Sequence, residues 1–170
     1  MVGVLQPWEI WVRSTWLHAF ATSASWVWQS CETIHYVGLS LLLGTVCLFD
    51  LRVLGVAKAI PAGLLHRLIP FGIGGWVANL LTGIVFLFGF PDQYAYNWAF
   101  RIKLAAMVLA GANVALFYAK GFAEVRDLPP GADAPRGAKI ITAISLTCWL
   151  TVLTCGRLLT FNRPPFFHSG

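Results

Sequence analysis

Four long stretches of apolar residues restrict what this chain can fold into. They cover about residues 26–54, 64–90, 98–122 and 140–161. Each stretch is at least as long as the roughly 20 residues that an α-helix needs to cross the hydrocarbon core of a bilayer. The sequence therefore predicts an all-α protein, an integral membrane four-helix bundle that forms a single domain over residues 1–170.

The composition supports a membrane location over a nucleic-acid-binding role. Hydrophobic residues make up 58% of the chain and charged residues only 11%, whereas about 25% of the residues in a soluble domain are charged. The net charge is +5, but Lys and Arg lie mainly near the ends of the apolar stretches, as expected for a membrane protein. The eight Trp residues suit the two bilayer interfaces. We expect the lipid bilayer, and no nucleic acid, among the partners of this chain.

A shorter segment, residues 8–20, precedes the first apolar stretch and has a different pattern. One side of a helix over these residues would carry mostly aromatic and small side chains: Trp8, Trp11, Val12, Thr15, Trp16 and Ala19. Glu9 and Arg13 are four residues apart on another side, where they can form an ion pair. This pattern predicts an N-terminal amphipathic helix that lies in the membrane interface instead of crossing the membrane.

The positive charges are distributed unevenly between the two sides of the predicted bundle. Four spans put both termini on the same side. The first and third loops, with their boundaries, contain seven basic residues: Arg52, Lys58, Arg67, Lys120, Arg126, Arg136 and Lys139. The other side contains five: Arg13, Arg101, Lys103, Arg157 and Arg163. Because Lys and Arg favour the cytoplasmic side, we expect both termini outside, which is the periplasmic side if the cell is bacterial.

Two ionisable side chains, Glu32 and His35, lie within the first apolar stretch. Residues three positions apart share one face of a helix, so the two side chains should point roughly the same way. His35 lies roughly 15 Å along the helix from Ser25, which we expect near its outer end. Ionisable groups inside a membrane are costly and usually face the bundle interior or a water-filled cavity. Glu32 and His35 are therefore the first candidates for a functional site.

Lys103 and Arg157 are the basic residues expected at a similar depth. Each lies roughly 5–10 Å from the outer end of its helix, so both could form one polar layer with Glu32 and His35. Opposite charges in this layer would offset one another's burial. In the alternative, Lys103 and Arg157 extend to the lipid headgroups, and Glu32 lies in the hydrated interface.

His35 is also a candidate ligand for haem or a metal ion. His66 cannot share an iron with it, because by the helical rise the two lie roughly 20 Å apart in depth. His18 and His168 are on the same side as His35, and either could complete a site if its segment folded inward. A second chain could do the same. A di-iron carboxylate site within one chain is excluded, because it needs a second Glu-x-x-His motif and the chain has none.

Several motifs along the chain form a pattern that resembles a known family. The motifs are Glu32-x-x-His35-x-x-Gly38, Asp50-Leu51-Arg52-x-Leu54-Gly55, Asn79-x-x-Thr82-Gly83, Lys103 and Gly156-Arg157. Over about residues 25–160 the chain resembles a family of small bacterial four-helix integral membrane proteins of unknown function. More distantly, it is similar to copper-resistance D membrane domains and small b-type cytochromes, in which histidines on helices bind copper or haem. The resemblance to the four-helix family implies that fold in a bacterial inner membrane and no particular activity. The more distant resemblance makes haem b or copper a candidate cofactor, although the chain departs from the cytochrome pattern because it has no second deep histidine at the level of His35.

Three functions agree with these features. The first is binding of haem or a metal ion, for electron transfer or metal handling. Its candidate residues are His35 as the metal ligand and, around it, Glu32, Lys103, Arg157 and His18. The second is a non-catalytic accessory or scaffold role in a homo-oligomer or a larger membrane complex, with glycine-rich helix surfaces as contacts. The third is transport of a small solute or a proton by Glu32. We expect no enzymatic activity from the chain by itself.

Overall fold

A computed structural model describes the backbone of residues 2–162 and the side chains of residues 7–162. Within this range the chain forms helices and no strands. The helices are α1 (Val2–Arg13), α2 (Trp16–Thr22), α3 (Ser25–Leu54), α4 (Ala62–His66), α5 (Ile69–Gly89), α6 (Pro91–Ala95), α7 (Trp98–Lys120), α8 (Phe122–Arg126) and α9 (Arg136–Leu158). The predicted all-α fold is confirmed.

Four helical segments are long and apolar enough to cross a membrane: α3, α4 together with α5, α7 and α9. The predicted number of such segments is confirmed, and their ends differ from the predicted ends by a few residues. The largest shift is in α9, which begins at Arg136 where the sequence predicts a start near residue 140. Pro135 precedes it, and a proline suits a helix start, where its missing N–H has no intrahelical acceptor.

The long helices pack as two pairs. α3 packs along α5, α7 packs along α9, and contacts between α3 and α9 join the two pairs. α5 and α7 are the outer members of this arrangement, and within the described residues no extensive contact joins them. The bundle is therefore open on one side, between α5 and α7.

α3 and α5 approach each other closely where two glycines meet. A Cβ atom on Gly38 would lie 2.9 Å from the carbonyl oxygen of Gly75 and 2.7 Å from Asn79 Nδ2. A Cβ atom on Gly75 would collide with the carbonyl oxygen of Gly38. Gly44 and Gly74, in contrast, have nothing within 4 Å of the Cβ position. Only some of the glycines in these two helices therefore serve the packing of α3 on α5.

The fully buried Arg52 joins two connections at the end of α3. Its guanidinium donates hydrogen bonds to the carbonyl oxygens of Ile60 at 2.6 Å, Pro129 at 3.0 Å and Ala132 at 3.2 Å. These carbonyls belong to the connection between α3 and α4 and the connection between α8 and α9. Because hydrogen bonds from a charged donor are strong, Arg52 holds both connections against the end of the bundle.

The N-terminal segment forms two helices where the sequence predicts one over residues 8–20. The break falls at Thr15, whose hydroxyl caps α2 by accepting a hydrogen bond from the His18 backbone N–H at 3.3 Å. Arg13, the last residue of α1, pairs with Asp92 of α6 at 2.5 Å. The prediction of one continuous helix is wrong, because a threonine in extended conformation starts a new helix here. The position of this segment in a membrane interface stays a prediction.

A cavity of ≈ 970 Å³ lies on the open side of the bundle, between α5 and α7. We call it the groove; α5 and α7 form its walls, and α3 and α9 form its floor. Asp50 lines the groove and His35 does not. We call the half of the bundle with the end of α3 and the start of α5 the Asp50 half. The opposite half, with the start of α3 and the end of α5, is the His35 half.

Candidate ligand site at His35

His35 of α3 is hydrogen-bonded to α5. Its Nδ1 atom lies 2.7 Å from Oγ1 of Thr82, which is buried. The same Thr82 oxygen lies 2.7 Å from the carbonyl oxygen of Ala78, one turn earlier in α5. A carbonyl oxygen can only accept, so Thr82 donates its single hydroxyl proton to Ala78. Thr82 Oγ1 must then accept a hydrogen bond from His35, and His35 must carry a proton on Nδ1 to donate it.

This hydrogen bond determines which ring nitrogen of His35 is available. In a neutral imidazole, one nitrogen carries the proton and the other carries a lone pair. Because Nδ1 donates to Thr82, the lone pair of the neutral ring is on Nε2. Histidines that bind metals show the same pattern, in which a hydrogen bond from the second nitrogen orients the ring and fixes its tautomer. His35 can therefore accept a hydrogen bond, or bind a metal, through Nε2.

Aromatic side chains pack next to the His35 ring. The ring centroid of Phe86 lies 5.3 Å from that of His35. Trp28 packs on Phe86, with the centroids 4.7 Å apart, and meets Phe90 edge-on. The His35 side chain remains partly exposed. One part of the ring therefore lies in an apolar aromatic environment, and another part is accessible from outside the chain.

Lys103 of α7 is close enough to His35 to interact with it electrostatically. Its Nζ atom lies 3.8 Å from the point that a Cβ atom on Gly156 would occupy. No ion pair formed by the described side chains includes Lys103. A partly buried ammonium group within electrostatic range of His35 attracts an anionic group and repels a free metal cation. Of the proposed polar layer, Lys103 is the member whose charge acts on His35.

Glu32 lies on the exposed surface of α3. It takes part in none of the ion pairs between described side chains, so of the two alternatives the structure does not form the pairing with Lys103 or Arg157. Its charge acts on Tyr94 instead: burial first, and the nearby Glu32 second, raise the pKa of the Tyr94 hydroxyl. The structure therefore leaves this carboxylate facing the surroundings of the chain.

Arg157 is exposed near the end of α9. Its guanidinium carbon lies 5.0 Å from the centroid of the Phe161 ring, which is 70% exposed. This distance suits a cation–π contact. The arrangement agrees with the alternative in which Arg157 extends towards the end of its helix and the headgroups.

His18, the second candidate histidine, is bound to another part of α5. Its Nδ1 donates a hydrogen bond to the carbonyl oxygen of Phe88 at 2.8 Å. His35 meets α5 at Thr82, six residues earlier, which corresponds to about 9 Å along the helix. Both histidines thus contact α5 but attach at different levels.

The other two histidines do not complete the site within the described residues. His66 lies on α4 in the Asp50 half and packs against Phe122, with ring centroids 4.7 Å apart. His168 lies outside the described residues. In the part of the chain that the structure describes, no group of three or more His, Cys, Asp or Glu side chains could hold a metal ion. The site as described offers one imidazole ligand, that of His35.

Thr82 and Tyr94 are residues of this site that the sequence analysis does not assign to it. Thr82 belongs to the Asn79-x-x-Thr82-Gly83 motif, and a hydroxyl in the middle of an apolar helix is itself a signal, because it needs a hydrogen-bond partner. Tyr94 lies in the short helix α6. Nothing in the local sequence relates it to Glu32.

Comparison with known proteins does not extend this description. No protein-family model, no curated protein and no solved structure matches the chain. The resemblance to a four-helix membrane family stays a prediction.

Proposed function

We propose that this protein binds haem through His35 and serves electron transfer in a membrane. The observation that carries the proposal is the hydrogen bond between His35 Nδ1 and Thr82, which leaves Nε2 free to bind iron. The macrocycle itself supplies four ligands to a haem iron, so one imidazole from the chain is enough for a five-coordinate site. A copper ion would take all of its ligands from protein side chains or solvent, and we therefore favour haem.

The chemical character of the side chains around His35 supports haem as the ligand. Phe86 and Trp28 offer an apolar aromatic surface next to the imidazole. Lys103 offers a positive charge that suits a propionate group. When bound, haem supplies a one-electron redox centre. Thr82 keeps the proton of His35 on Nδ1, which orients the ring and increases the basicity of Nε2.

The exposed Glu32 supports a second proposal, in which the protein is a non-catalytic subunit of a membrane complex. A carboxylate on the outer face of a membrane-spanning helix is costly if lipid surrounds it. Tyr36 is 63% exposed and lies one turn from Glu32 on the same face of α3, so a second copy of this chain could cover both side chains. The two proposals are compatible, because a partner could also supply a further ligand to a group bound at His35.

We further propose that the protein lies in a bacterial inner membrane with both termini in the periplasm. Its four long apolar helices are compatible with a multi-pass membrane protein. The excess of basic residues in the connections of the Asp50 half supports a cytoplasmic position for that half. Reporter fusions to the C-terminus test the orientation. We expect a fusion with alkaline phosphatase to be active, which indicates a periplasmic C-terminus. A fluorescent fusion with green fluorescent protein would instead place the C-terminus in the cytoplasm.

Absorbance spectroscopy tests the haem proposal. The full chain is expressed with a supply of haem, purified in detergent and titrated with hemin. We expect a Soret band and close to one haem per chain in the wild type, and the loss of both in His35→Ala. His66→Ala is the matched control, because it removes a histidine from the other half and should keep both. A helical His35→Ala protein with the wild-type haem content would overturn the proposal.

The native mass in a mild detergent tests the second proposal. We expect a complex larger than the single chain of 18.7 kDa. Tyr36→Ala removes a large exposed side chain next to Glu32 and should shift the mass towards the single chain. Leu109→Ala, on an exposed face of α7, should leave the mass unchanged. A wild-type protein that is monomeric at all concentrations would contradict this proposal.

A further inference from the structure

A cavity of ≈ 410 Å³, separate from the groove, lies between the short helices α4 and α8 in the Asp50 half. We call it the basic pocket. Two arginines and one aspartate give its lining a formal charge of +1, the sum of two positive charges and one negative charge. Its volume lies within the range of about 300–1,000 Å³ that is typical of ligand sites. The lining residues are Gly63, His66, Arg67, Phe122, Arg126 and Asp127.

The two arginines of the basic pocket have donors to spare. Arg67 takes part in none of the ion pairs between described side chains. Arg126 donates from Nε to Asp127 Oδ1 at 3.3 Å, and this pair leaves its two terminal nitrogens for another acceptor. A guanidinium group presents its N–H groups as a planar fork that matches the oxygens of a phosphate group. The pocket therefore offers two such forks to an anion.

Packing between α4 and α8 gives the basic pocket its shape. His66 of α4 packs on Phe122 of α8, with the ring centroids 4.7 Å apart. A neutral imidazole keeps one N–H that can donate a hydrogen bond. At Gly63 the backbones come close, because a Cβ atom there would lie 3.6 Å from the carbonyl oxygen of Arg126. The charged groups thus surround a space that two packed helices define.

The basic pocket lies where two apolar segments end. The second candidate span begins at Ala62 and the third ends at Lys120, so α4 and α8 belong to the level of the lipid headgroups at one end of the bundle. Leu64, next to Gly63 on α4, is 53% exposed and offers an apolar contact to an acyl chain. Basic pockets between membrane helices on the cytoplasmic side typically bind anionic headgroups.

We propose that the basic pocket binds the phosphate group of an anionic phospholipid of the phosphatidylglycerol type. Arg67 and the terminal nitrogens of Arg126 hold the phosphate oxygens, and His66 donates a further hydrogen bond. The positive charge of the lining favours a lipid with a net negative charge over a zwitterionic lipid. The proposal rests on the proposed membrane location and is independent of haem binding, because His35 does not line this pocket.

Native mass spectrometry of the full chain in a mild detergent tests this proposal. The protein is titrated with dioleoylphosphatidylglycerol and, in parallel, with dioleoylphosphatidylcholine, which has the same acyl chains but no net charge. We expect one phosphatidylglycerol per chain, bound about fivefold more tightly than phosphatidylcholine, as expected for one net charge near a membrane surface. Recovery of the chain in the membrane fraction tests the membrane location separately, so a failure of that premise is distinguishable from a failure to bind lipid.

Charge substitutions test the role of the arginines. Arg67→Gln and Arg126→Gln should each weaken the binding of phosphatidylglycerol about fivefold. Arg136→Gln is the matched control, because it removes the same charge from the same half but from a residue that does not line the pocket. Asp127→Asn should have the opposite effect and strengthen binding about fivefold, since it removes the negative charge of the lining and frees Nε of Arg126.

A fourth variant fills the basic pocket and keeps all its charges. Gly63 lines the pocket, and its Cβ position is only in ordinary van der Waals contact with the backbone of Arg126. Gly63→Leu should therefore abolish the binding of phosphatidylglycerol. Gly137→Leu is the matched control, because a Cβ atom on Gly137 has nothing within 4 Å and Gly137 does not line the pocket.

Four results would overturn the proposal. Equal binding of phosphatidylglycerol and phosphatidylcholine would mean that acyl chains alone attach to the protein. An equal loss of affinity in Arg136→Gln and Arg67→Gln would mean diffuse attraction by the basic surface. Unchanged binding in Gly63→Leu would place the lipid elsewhere. Displacement of the lipid by millimolar inorganic phosphate would identify a free phosphate compound as the ligand.

Discussion

Two neighbouring pairs of helices differ in how tightly they pack: α3 against α5, and α5 against α7. α3 and α5 are in contact at Gly38 and Gly75, and His35 forms a hydrogen bond across the same helix pair. α5 and α7 stand apart and leave a cavity of ≈ 970 Å³ between them. Thr82 and His35 are paired where α3 meets α5, whereas Asp50 and Trp149, which line the cavity, each have one buried polar atom without a hydrogen-bond partner among the described residues.

This difference assigns different roles to the two sets of polar residues. The hydrogen bond with Thr82 orients His35 and leaves one defined ring atom available, which suits a ligand bound in a fixed geometry. Asp50 Oδ2 and Trp149 Nε1, in contrast, are buried in residues that line a large apolar space, and neither has a hydrogen-bond partner among the described residues. The close helix pair thus presents one defined ring atom, and the separated pair encloses an open apolar space.

The largest effect that we expect comes from Arg52, which anchors the open half. Arg52→Leu leaves the carbonyl oxygens of Ile60, Pro129 and Ala132 without this donor. We expect a loss of roughly 2–4 kcal/mol of stability, measured as a lower unfolding temperature in detergent. Arg101→Leu removes an exposed arginine and should change stability by less than about 0.5 kcal/mol. Equal unfolding temperatures for the two variants would mean that the Asp50 half does not depend on this anchor.

The next effect tests the contrast in packing directly. Gly75→Ala places a methyl group against the backbone of Gly38 and should cost about 1–3 kcal/mol, because the two helices must separate. Gly111→Ala makes the same change in a helix with free space and should stabilise the protein by about 0.5–1 kcal/mol. The unfolding temperatures of the two variants should therefore move in opposite directions. A similar fall in both would contradict the description of an open groove.

A smaller effect is expected for the orientation of His35. Thr82→Val keeps the shape of the side chain but removes the hydroxyl that accepts from His35 Nδ1. The affinity for haem should fall about 10–100-fold, the usual range for the loss of such a partner. Thr82→Ser keeps the hydroxyl and should retain most of the affinity. Hemin titration measures both, and a Thr82→Val protein with wild-type affinity would show that Thr82 does not support ligation.

The smallest effect concerns pH and the connections of the Asp50 half. Hydrogen bonds from Lys139 and Lys58 to Asp133 lower the pKa of that carboxyl below its usual value of 3.8. The folded state binds this proton less tightly than the unfolded state, so the contribution to stability is present above about pH 4 and is lost at lower pH. Asp133→Asn should lower the unfolding temperature slightly at neutral pH and hardly at all near pH ~3. If the difference in unfolding temperature between the wild type and Asp133→Asn grows as the pH falls, the pKa of Asp133 is not lowered in the folded state.

Glu9 provides the opposite case in the His35 half. A hydrogen bond with Asp92, followed by burial, raises the pKa of the Glu9 carboxyl. Ionisation of Glu9 therefore disfavours the folded state as the pH rises. Glu9→Gln should make the unfolding temperature at neutral pH higher relative to that at acid pH, whereas Asp133→Asn should make it lower. If the unfolding temperature at neutral pH, relative to acid pH, rises in Glu9→Gln and falls in Asp133→Asn, the opposite pKa shifts of the two carboxyls are confirmed.

The helices were predictable from the sequence because length and apolar character decide whether a segment can cross a membrane. The break at Thr15 was not predicted, because helical periodicity continues through it, and only the conformation of the backbone shows that the threonine caps a second helix. The position of His35 along α3 also followed from its place in the first apolar stretch. Its hydrogen-bond partner Thr82 did not follow from the sequence, and its role as a ligand stays a prediction.

The contacts between helices could not be predicted from the sequence. The pairing of His35 with Thr82 depends on the register between α3 and α5, and a periodic pattern does not define that register. The groove depends on the separation of α5 and α7, to which every long helix contributes. Of the two alternatives left open by the sequence, one placed Glu32 and Arg157 in a layer with Lys103. Both Glu32 and Arg157 are exposed in the structure, because depth along a helix does not determine the direction of a side chain.

The ligation of haem by His35 Nε2 is the central claim, and rescue with imidazole tests it most directly. In His35→Gly, free imidazole can occupy the space of the missing side chain and bind the iron. We predict that the purified variant holds no haem, and that added imidazole restores the Soret band to a large fraction of that of the wild type. Haem bound equally well by His35→Gly without imidazole, or a wild-type protein that binds no hemin, would contradict the claim.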